Sequence, residues 1–369
     1  MITKLLMIFS FILIFFYTNY LIFGLLWGKR DKIKVKKGTY FPKVSVVTAV
    51  YNERENIERK MKNMVELDYP REMIEWIIVD SSEDETRRLI RDSIAFFPLK
   101  MILIEEEERR GLASALNMGY EASSSEIVIK SDCDTLLEKD SVKNLVSYFA
   151  DSRVGGVTGE MVITNEVNVE LGYRTFFNLL RLAESNLDST HIFNQLSAYR
   201  RNLMIRIDEK SVADDSEIAL AIRKKGYKTL YNPDAIFYER TPKRFRERRI
   251  QKDRRAQGQI QVILKNLDML FNPRYGFFGI YVFPANFFML IISPWMIFTA
   301  LLMGILQLYE SLGLHAIWVL ILGAFFTYLS YRLSSLRFIS GFLDSQLSLL
   351  IGGLKLLRSP EYIWKRPEI

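Results

Sequence analysis

The sequence predicts an α/β protein with a doubly wound sheet, set between apolar helices at its two ends. First, the valine- and isoleucine-rich runs "KVSVVTAV", "EWIIVD", "KMILIE" and "EIVIKS" recur between residues 43 and 131 with helix-period patterns between them. Such runs alternate little and read as strands buried on both faces of a parallel sheet; strand–helix–strand repeats wind that sheet on both sides. Second, charged residues are plentiful between about 28 and 275 and sparse outside it, in a chain with 49% hydrophobic residues and a net charge of +7. Third, the chain has a single cysteine, which excludes an internal disulfide.

Residues 5–27, "LLMIFSFILIFFYTNYLIFGLLW", carry no charge. At about 1.5 Å per residue they cross a hydrocarbon core of roughly 30 Å. Their length, and the lack of a small-residue cleavage pattern, make 1–27 an uncleaved transmembrane helix rather than a signal peptide. The basic linker at 28–43, "GKRDKIKVKK" and beyond, belongs on the cytoplasmic side. Residues 44–258 form the soluble domain. The patterns "ENIERKMKNMVEL", "DETRRLIRDSIAFF" and "GLASALNMGYEAS" are its helices between the first four strands.

Residues 259–286 read as juxtamembrane and interfacial helices, with "GFFGIYVF" approaching along the membrane surface. Two spans follow within 287–331, joined by the short loop "YESLGLH". In the last segment, 336–369, Asp344, Gln346 and several serines interrupt the apolar face, and the tail is basic. An interfacial or re-entrant helix is favoured there over a span. The soluble domain is then cytoplasmic in a multi-pass protein, most simply of the plasma membrane.

Ligands of doubly wound sheets bind outside the carboxyl ends of the strands. Asn52 and Glu53, Asp80, and the pair Asp132 and Asp134 all fall at such ends. Two carboxylates facing a crevice suit a divalent cation that carries phosphates. The chain has neither GxxxxGK[ST] nor a GxGxxG after its first strand, which argues against a P-loop ATPase and against a dinucleotide enzyme.

Together, "AVYNERENI", "IIVDSSEDET", "GLASALNMGYEAS", "SDCD", "VADDSEIALAIRKKGYKTLY" and "QKDRR", in this order and spacing over 44–258, resemble the inverting family 2 glycosyltransferases of GT-A fold, a Rossmann-like doubly wound sheet. The resemblance implies a nucleotide-sugar site made by Val50, Asn52, Glu53, Asp80, Arg110, Asn117, Asp132, Asp134, Gln251, Arg254 and Arg255. It implies Mn²⁺ or Mg²⁺ at Asp134 and Asp132, and Asp215 as the base that deprotonates the acceptor. Asp214, Tyr199 and Arg200 fall on the acceptor side, although two acids at a helix start also serve as caps. Two departures stand out. Arg255 replaces the tryptophan of the family's Gln-x-x-Arg-Trp motif, which weighs toward an anionic lipid acceptor. Leu112 replaces a lysine, whose charge Arg109 or Arg110 can supply.

The implied function is transfer of a sugar from a nucleotide-diphosphate sugar, UDP favoured over GDP, to a lipid or lipid-linked acceptor at the cytoplasmic face. The alternatives are a processive polysaccharide synthase, for which so few membrane helices are sparse, and a non-catalytic membrane scaffold. The basic run "KRFRERRIQKDRR" fits contact with anionic membrane lipids better than nucleic acid, which is not an expected partner. His191 and His315 have no ligand spacing, Cys133 reads as a small strand-end filler, and Glu105 to Glu108 as a solvated loop.

Overall fold

A computed structural model describes residues 2–29, 41–164, 171–242, 244–333 and 336–357, so most of the basic linker and the basic tail lie outside the described residues. The chain divides into two compact units. One, the sheet unit, takes in 41–164 and 188–242; the other, the helical unit, takes in 2–29, 171–187 and the described residues from 244 onward.

In the sheet unit, β1 (Val44–Val50), β2 (Ile74–Asp80), β3 (Lys100–Glu105), β4 (Ile127–Ser131), β5 (Leu136–Leu137), β6 (Val154–Ile163), β7 (Leu196–Arg200) and β8 (Lys228–Glu239) form one sheet in the order β3-β2-β1-β4-β7-β6-β8-β5. The four strands expected from sequence are its parallel half. The other half is mixed: β7 runs antiparallel to both β4 and β6, and β5 antiparallel to β8. Sequence periodicity missed that half because β5 has two residues and β6 is interrupted by Gly155, Gly156 and Gly159. These glycines answer to packing. A Cβ on Gly159 would lie 2.3 Å from the Ala235 carbonyl oxygen.

Helices cover both faces. On one, α2 (Arg54–Val65), α3 (Thr86–Ile94) and α5 (Ser141–Ser147) bury Ile57, Met64, Ile90 and Leu145 against Val46, Trp76 and Ile129. On the other, α4 (Leu112–Ala122) and α7 (Asp214–Lys224) bury Leu116, Ile218 and Ile222 against Val47, Ile77 and Val128. Strand alternation therefore decides which side chain of β4 meets α7 and which meets α2.

The helical unit holds α1 (Ile2–Trp27), α6 (Leu171–Leu187), α8 (Phe245–Lys265), α9 (Phe283–Phe287), α10 (Ser293–Leu312), α11 (Ala316–Arg332) and α12 (Arg337–Leu356). Two of its helical segments, Ile2–Trp27 and Phe278–Arg332, are long and apolar enough to cross a membrane. The helical course through Pro284 and Pro294 is unbroken, with a wide π turn before each proline. Such turns relieve the clash between a proline ring and the preceding turn's carbonyls. Buried polar groups tie the helices together. Tyr20 Oη and Asn286 Nδ2 both donate to Glu184 Oε1, at 2.6 and 2.7 Å.

The polar interruptions of the last segment meet several helices: Gln346 accepts from Ser293 Oγ of α10 and donates to Tyr17 Oη of α1, while Asp344 turns to α8. Asp344 accepts from Arg249 Nη1 and Lys252 Nζ, each at 2.6 Å. Part of the basic run on α8 is thus neutralised within the protein.

Gly119 lies where α4 crosses β1, and a Cβ there would sit 2.4 Å from Val47 Cγ1. Gly119→Val overpacks this contact and is expected to cost about 1–3 kcal/mol. Thermal unfolding of the purified variant measures it, and an unchanged midpoint contradicts the packing described.

Candidate active site

The strand ends gather the first group of polar residues. Register pairs Val50 with Asp80 and Asp80 with Glu105, so the first three strands stop level with one another. Asn52 takes a left-handed backbone conformation, φ 53°, which asparagine tolerates better than most residues. Its N–H donates to Ser82 Oγ and its Oδ1 accepts from the Glu83 N–H, which ties the loop after β1 to the loop after β2. Glu53 precedes α2 and accepts from Asn56 Nδ2. Tyr51, absent from the sequence-based set, lies in this loop with the Arg109 guanidinium 3.6 Å from its ring centroid.

Asp80 is buried. Its Oδ2 accepts from Arg87 Nε at 2.7 Å, while Oδ1 has no hydrogen-bond partner. A buried carboxylate oxygen without a donor is a place where a ligand N–H or O–H fits. Beside it Glu106, expected in a solvated loop, is buried and accepts from Ser81 Oγ. Arg110 is largely exposed, with Nε 3.7 Å from Glu106.

β4 ends in the turn carrying Asp132 and Asp134. Thr135 closes it, with both its N–H and Oγ1 donating to the Asp132 carbonyl. Asp134 is exposed and Asp132 partly so, while Cys133 between them is buried. Among the described residues no group of three histidine, cysteine or acidic side chains forms a complete metal cage. An exposed carboxylate beside a partly exposed one nevertheless fits a hard cation whose other ligands are substrate phosphate oxygens and water.

The residue two places before Asp132 organises the rest. Lys130 points to the α7 face of β4, and its side chain is only 3% exposed. Its Nζ donates to Asp214 Oδ2 at 2.6 Å and to Asp215 Oδ1 at 2.7 Å, and lies 3.9 Å from Asp132 Oδ1. Burial opposes the lysine's charge, but the Asp214 and Asp215 carboxylates outweigh it and hold the ammonium protonated. The two acids respond differently. Burial also opposes the Asp214 charge, yet Lys130 prevails and keeps that carboxyl below its ordinary range. Burial, reinforced by the Asp214 charge, pushes Asp215 well above its ordinary range. Tyr199 closes the cluster from β7, its Oη donating to the Asp215 carbonyl oxygen. Tyr120 Oη, buried and without a hydrogen-bond partner, belongs to the same electrostatic group.

Asn117 and Arg200, also expected at the site, make their hydrogen bonds with backbone outside this cluster. Asn117 is buried, its Nδ2 donating to the Ile207 carbonyl at 2.9 Å and its Oδ1 accepting from the Ile207 N–H at 2.8 Å, so it fixes the chain leading to α7. Arg200 pairs with Ile127 at the start of β4, the opposite end of the strand from Asp132, and donates to the Phe149 and Val154 carbonyls. That position leaves it remote from the strand ends expected to meet an acceptor. Gln251, Arg254 and Arg255 are on α8 in the helical unit, with Arg255 exposed. Lys130 and Lys60 escaped the sequence reading because an isolated lysine in a strand or on a charged helix reads as solvated.

An α/β sheet with carboxylates at its strand ends and a paired acid at a helix start is the arrangement of a GT-A nucleotide-sugar enzyme. The profile described as "Glycosyl transferase family 2" matches residues 45–208, and that of "Glycosyl transferase family group 2" matches 127–331. The chain belongs to the family 2 glycosyltransferases and is an enzyme of that type. It is 28% identical over 326 residues to the probable glycosyltransferase YdaM of Bacillus subtilis, spanning 79% of this chain and 74% of that one. Over 237 residues it is 25% identical to poly-beta-1,6-N-acetyl-D-glucosamine synthase of Staphylococcus aureus, covering 60% of this chain and 56% of the synthase. Among solved structures it resembles the mannosyltransferase PcManGT from Pyrobaculum calidifontis, in complex with GDP-Man and Mn²⁺, with a TM-score of 0.83 and 30% identity over 98% of this chain and 100% of that one.

Replacing Lys130 tests the cluster. Lys130→Met leaves two buried carboxylates without their cation and is expected to lose about 3–5 kcal/mol of stability. Lys130→Met/Asp214→Asn removes one charge of each sign and should regain much of that loss. Thermal unfolding measures both, and additive losses contradict a shared ion pair.

Proposed function

We propose that the protein is a membrane-anchored inverting glycosyltransferase. It moves one sugar from a nucleoside-diphosphate sugar to a hydroxyl of a lipid or lipid-linked acceptor at the cytoplasmic face. The observation that carries this reading is the placement of Lys130 among Asp132, Asp214 and Asp215. It sets donor-side and acceptor-side carboxylates around one buried cation.

Asp215 is the proposed base. A carboxylate whose affinity for protons is raised accepts one more readily than an ordinary aspartate, and two acids driven apart by their surroundings divide into a charged partner and a proton acceptor. Asp214, held ionised by Lys130, is the partner. Asp215 takes the acceptor's proton as its oxygen attacks the anomeric carbon, and the diphosphate leaves from the opposite face, inverting that centre. Asp132 and Asp134 are the proposed metal carboxylates, for Mn²⁺ or Mg²⁺. A cation held there supplies positive charge to the departing diphosphate. The unpartnered Asp80 Oδ1 is offered to the base or ribose. Arg254 and Arg255 are phosphate candidates on their motif alone.

The likeness to an enzyme bound to GDP-Man supports a guanosine donor as a candidate beside the UDP donor favoured from sequence. The apolar segments support residence in the membrane, with α1 as one span and α10 and α11 as two more. The contacts of α12 with the charged helix α8 support an interfacial course for α12.

The test is single-turnover transfer from labelled GDP-mannose, with UDP-N-acetylglucosamine in parallel, in membranes containing the protein. Label in the organic extract marks a lipid acceptor, while label in an aqueous polymer supports the polysaccharide synthase instead. Asp215→Asn is expected to slow transfer by about 10²–10⁴-fold with donor affinity little changed. Asp214→Asn should slow it less. If neither variant loses tenfold, the base lies elsewhere.

A further inference from the structure

Lys60 is a fully buried lysine that the proposed reaction does not use. It lies on α2, on the face of the sheet opposite Lys130. Its Nζ donates to Ser131 Oγ at 2.6 Å and to the Thr135 carbonyl at 2.8 Å, the two residues that bracket Asp132, Cys133 and Asp134. One turn further along α2, Asn63 makes a two-point contact with the Leu137 backbone, both bonds at 2.7 Å. Helix α2 thus grips the segment 131–137 at three places. The same helix begins directly after Asn52 and Glu53, so its position is shared by two of the strand-end loops.

A buried ammonium is costly and is kept only where its partners repay the lost hydration. A methionine would fill much the same space without that cost but would leave Ser131 Oγ and the Thr135 carbonyl without this donor. The ligands of Lys60 are the two ends of the carboxylate turn, which points to its role. We infer that Lys60 is a positioning residue for the Asp132–Asp134 turn, acting from behind it with Asn63 to hold the two carboxylates at the spacing a divalent cation and a diphosphate need. This rests on the reading of that turn as the metal and donor site. Groups that support metal carboxylates from behind typically change metal affinity by about 10–100-fold when removed.

Charge and position predict opposite signs. If Lys60 mattered only as a positive charge near the cation, its removal would tighten metal binding. If it holds the turn, its removal weakens metal binding even though the fold survives. The experiment titrates Mn²⁺ into the full-length protein in detergent with GDP present, and again with UDP, for wild type, Lys60→Met and Asn63→Ala. Thermal midpoints are recorded alongside, and nucleotide affinity is measured in chelator. The expected result is a Lys60→Met protein that still folds, with a modestly lower thermal midpoint because two buried acceptors lose their donor, nucleotide affinity in chelator unchanged and Mn²⁺ affinity at least tenfold lower. Asn63→Ala should show a smaller loss in the same direction and decides the matter if Lys60→Met does not fold. Mn²⁺ affinity equal to or tighter than wild type, in whichever variant folds, overturns the inference. Failure of wild type itself to bind Mn²⁺ with either nucleotide overturns the metal reading of the turn and the inference with it.

Discussion

The contact of Lys130 with Asp214 and Asp215 is the constraint around which the sheet unit is arranged. A lysine on the buried face of a central strand loses most of its hydration, a penalty of several kcal/mol that local sequence cannot offset. Its partners stand 84 and 85 positions away at the start of α7. They reach it only when β7 has inserted beside β4 and α7 has packed across that face. The ion pair and the mixed half of the sheet therefore depend on each other. Asn117 contributes by fixing the backbone at Ile207, just before α7. The amino end of α7 favours negative charge, and its first turn carries Asp214, Asp215 and Glu217.

This arrangement also accounts for two adjacent aspartates behaving unalike. Both are buried and both touch the same ammonium, but one cation fully compensates one anion. Asp214 has the smaller exposed fraction, 9% against 15%, and retains its charge. Asp215 faces a buried site that already holds a neighbouring negative charge, so its proton affinity rises. A cap role alone would leave the two acids equivalent. The proposed division of labour follows from one ammonium facing two acids, at 2.6 and 2.7 Å, when it can fully compensate only one.

Much of this was legible in the sequence. The four parallel strands, the buried character of β1, β2 and β4, and the acids at the strand ends follow from valine- and isoleucine-rich runs that stop at polar residues; β3, expected to be buried on both faces, is the half-exposed edge strand, because it has a neighbour on one side only. The order of motifs pointed to the family that the profiles then matched. What escaped was anything depending on a distant partner. "ENIERKMKN" reads as a solvated charged helix, yet Lys60 is buried within it because Ser131 and Thr135 are there to receive it. Glu106 sits in a run of four acids that reads as solvent-facing, and is buried against Ser81. Arg200 and Asn117 were placed at the site by motif, although register and hydrogen bonding give them structural duties. In the last helix Asp344 looked like a flaw in an apolar segment, and its meaning is set by Arg249 and Lys252 on another helix.

The central claim is that Lys130 holds Asp214 ionised and that this negative neighbour helps raise the proton affinity of Asp215. The pH dependence of single-turnover transfer in Asp214→Asn tests it most directly. A carboxylate base is active above its pKa, so its titration sets the acidic limb of the profile. Removing the Asp214 charge takes away repulsion and frees Lys130 to serve Asp215 alone, and both effects make Asp215 easier to ionise. The account predicts that the acidic limb moves to lower pH than in wild type; a limb that stays in place or moves to higher pH would contradict it.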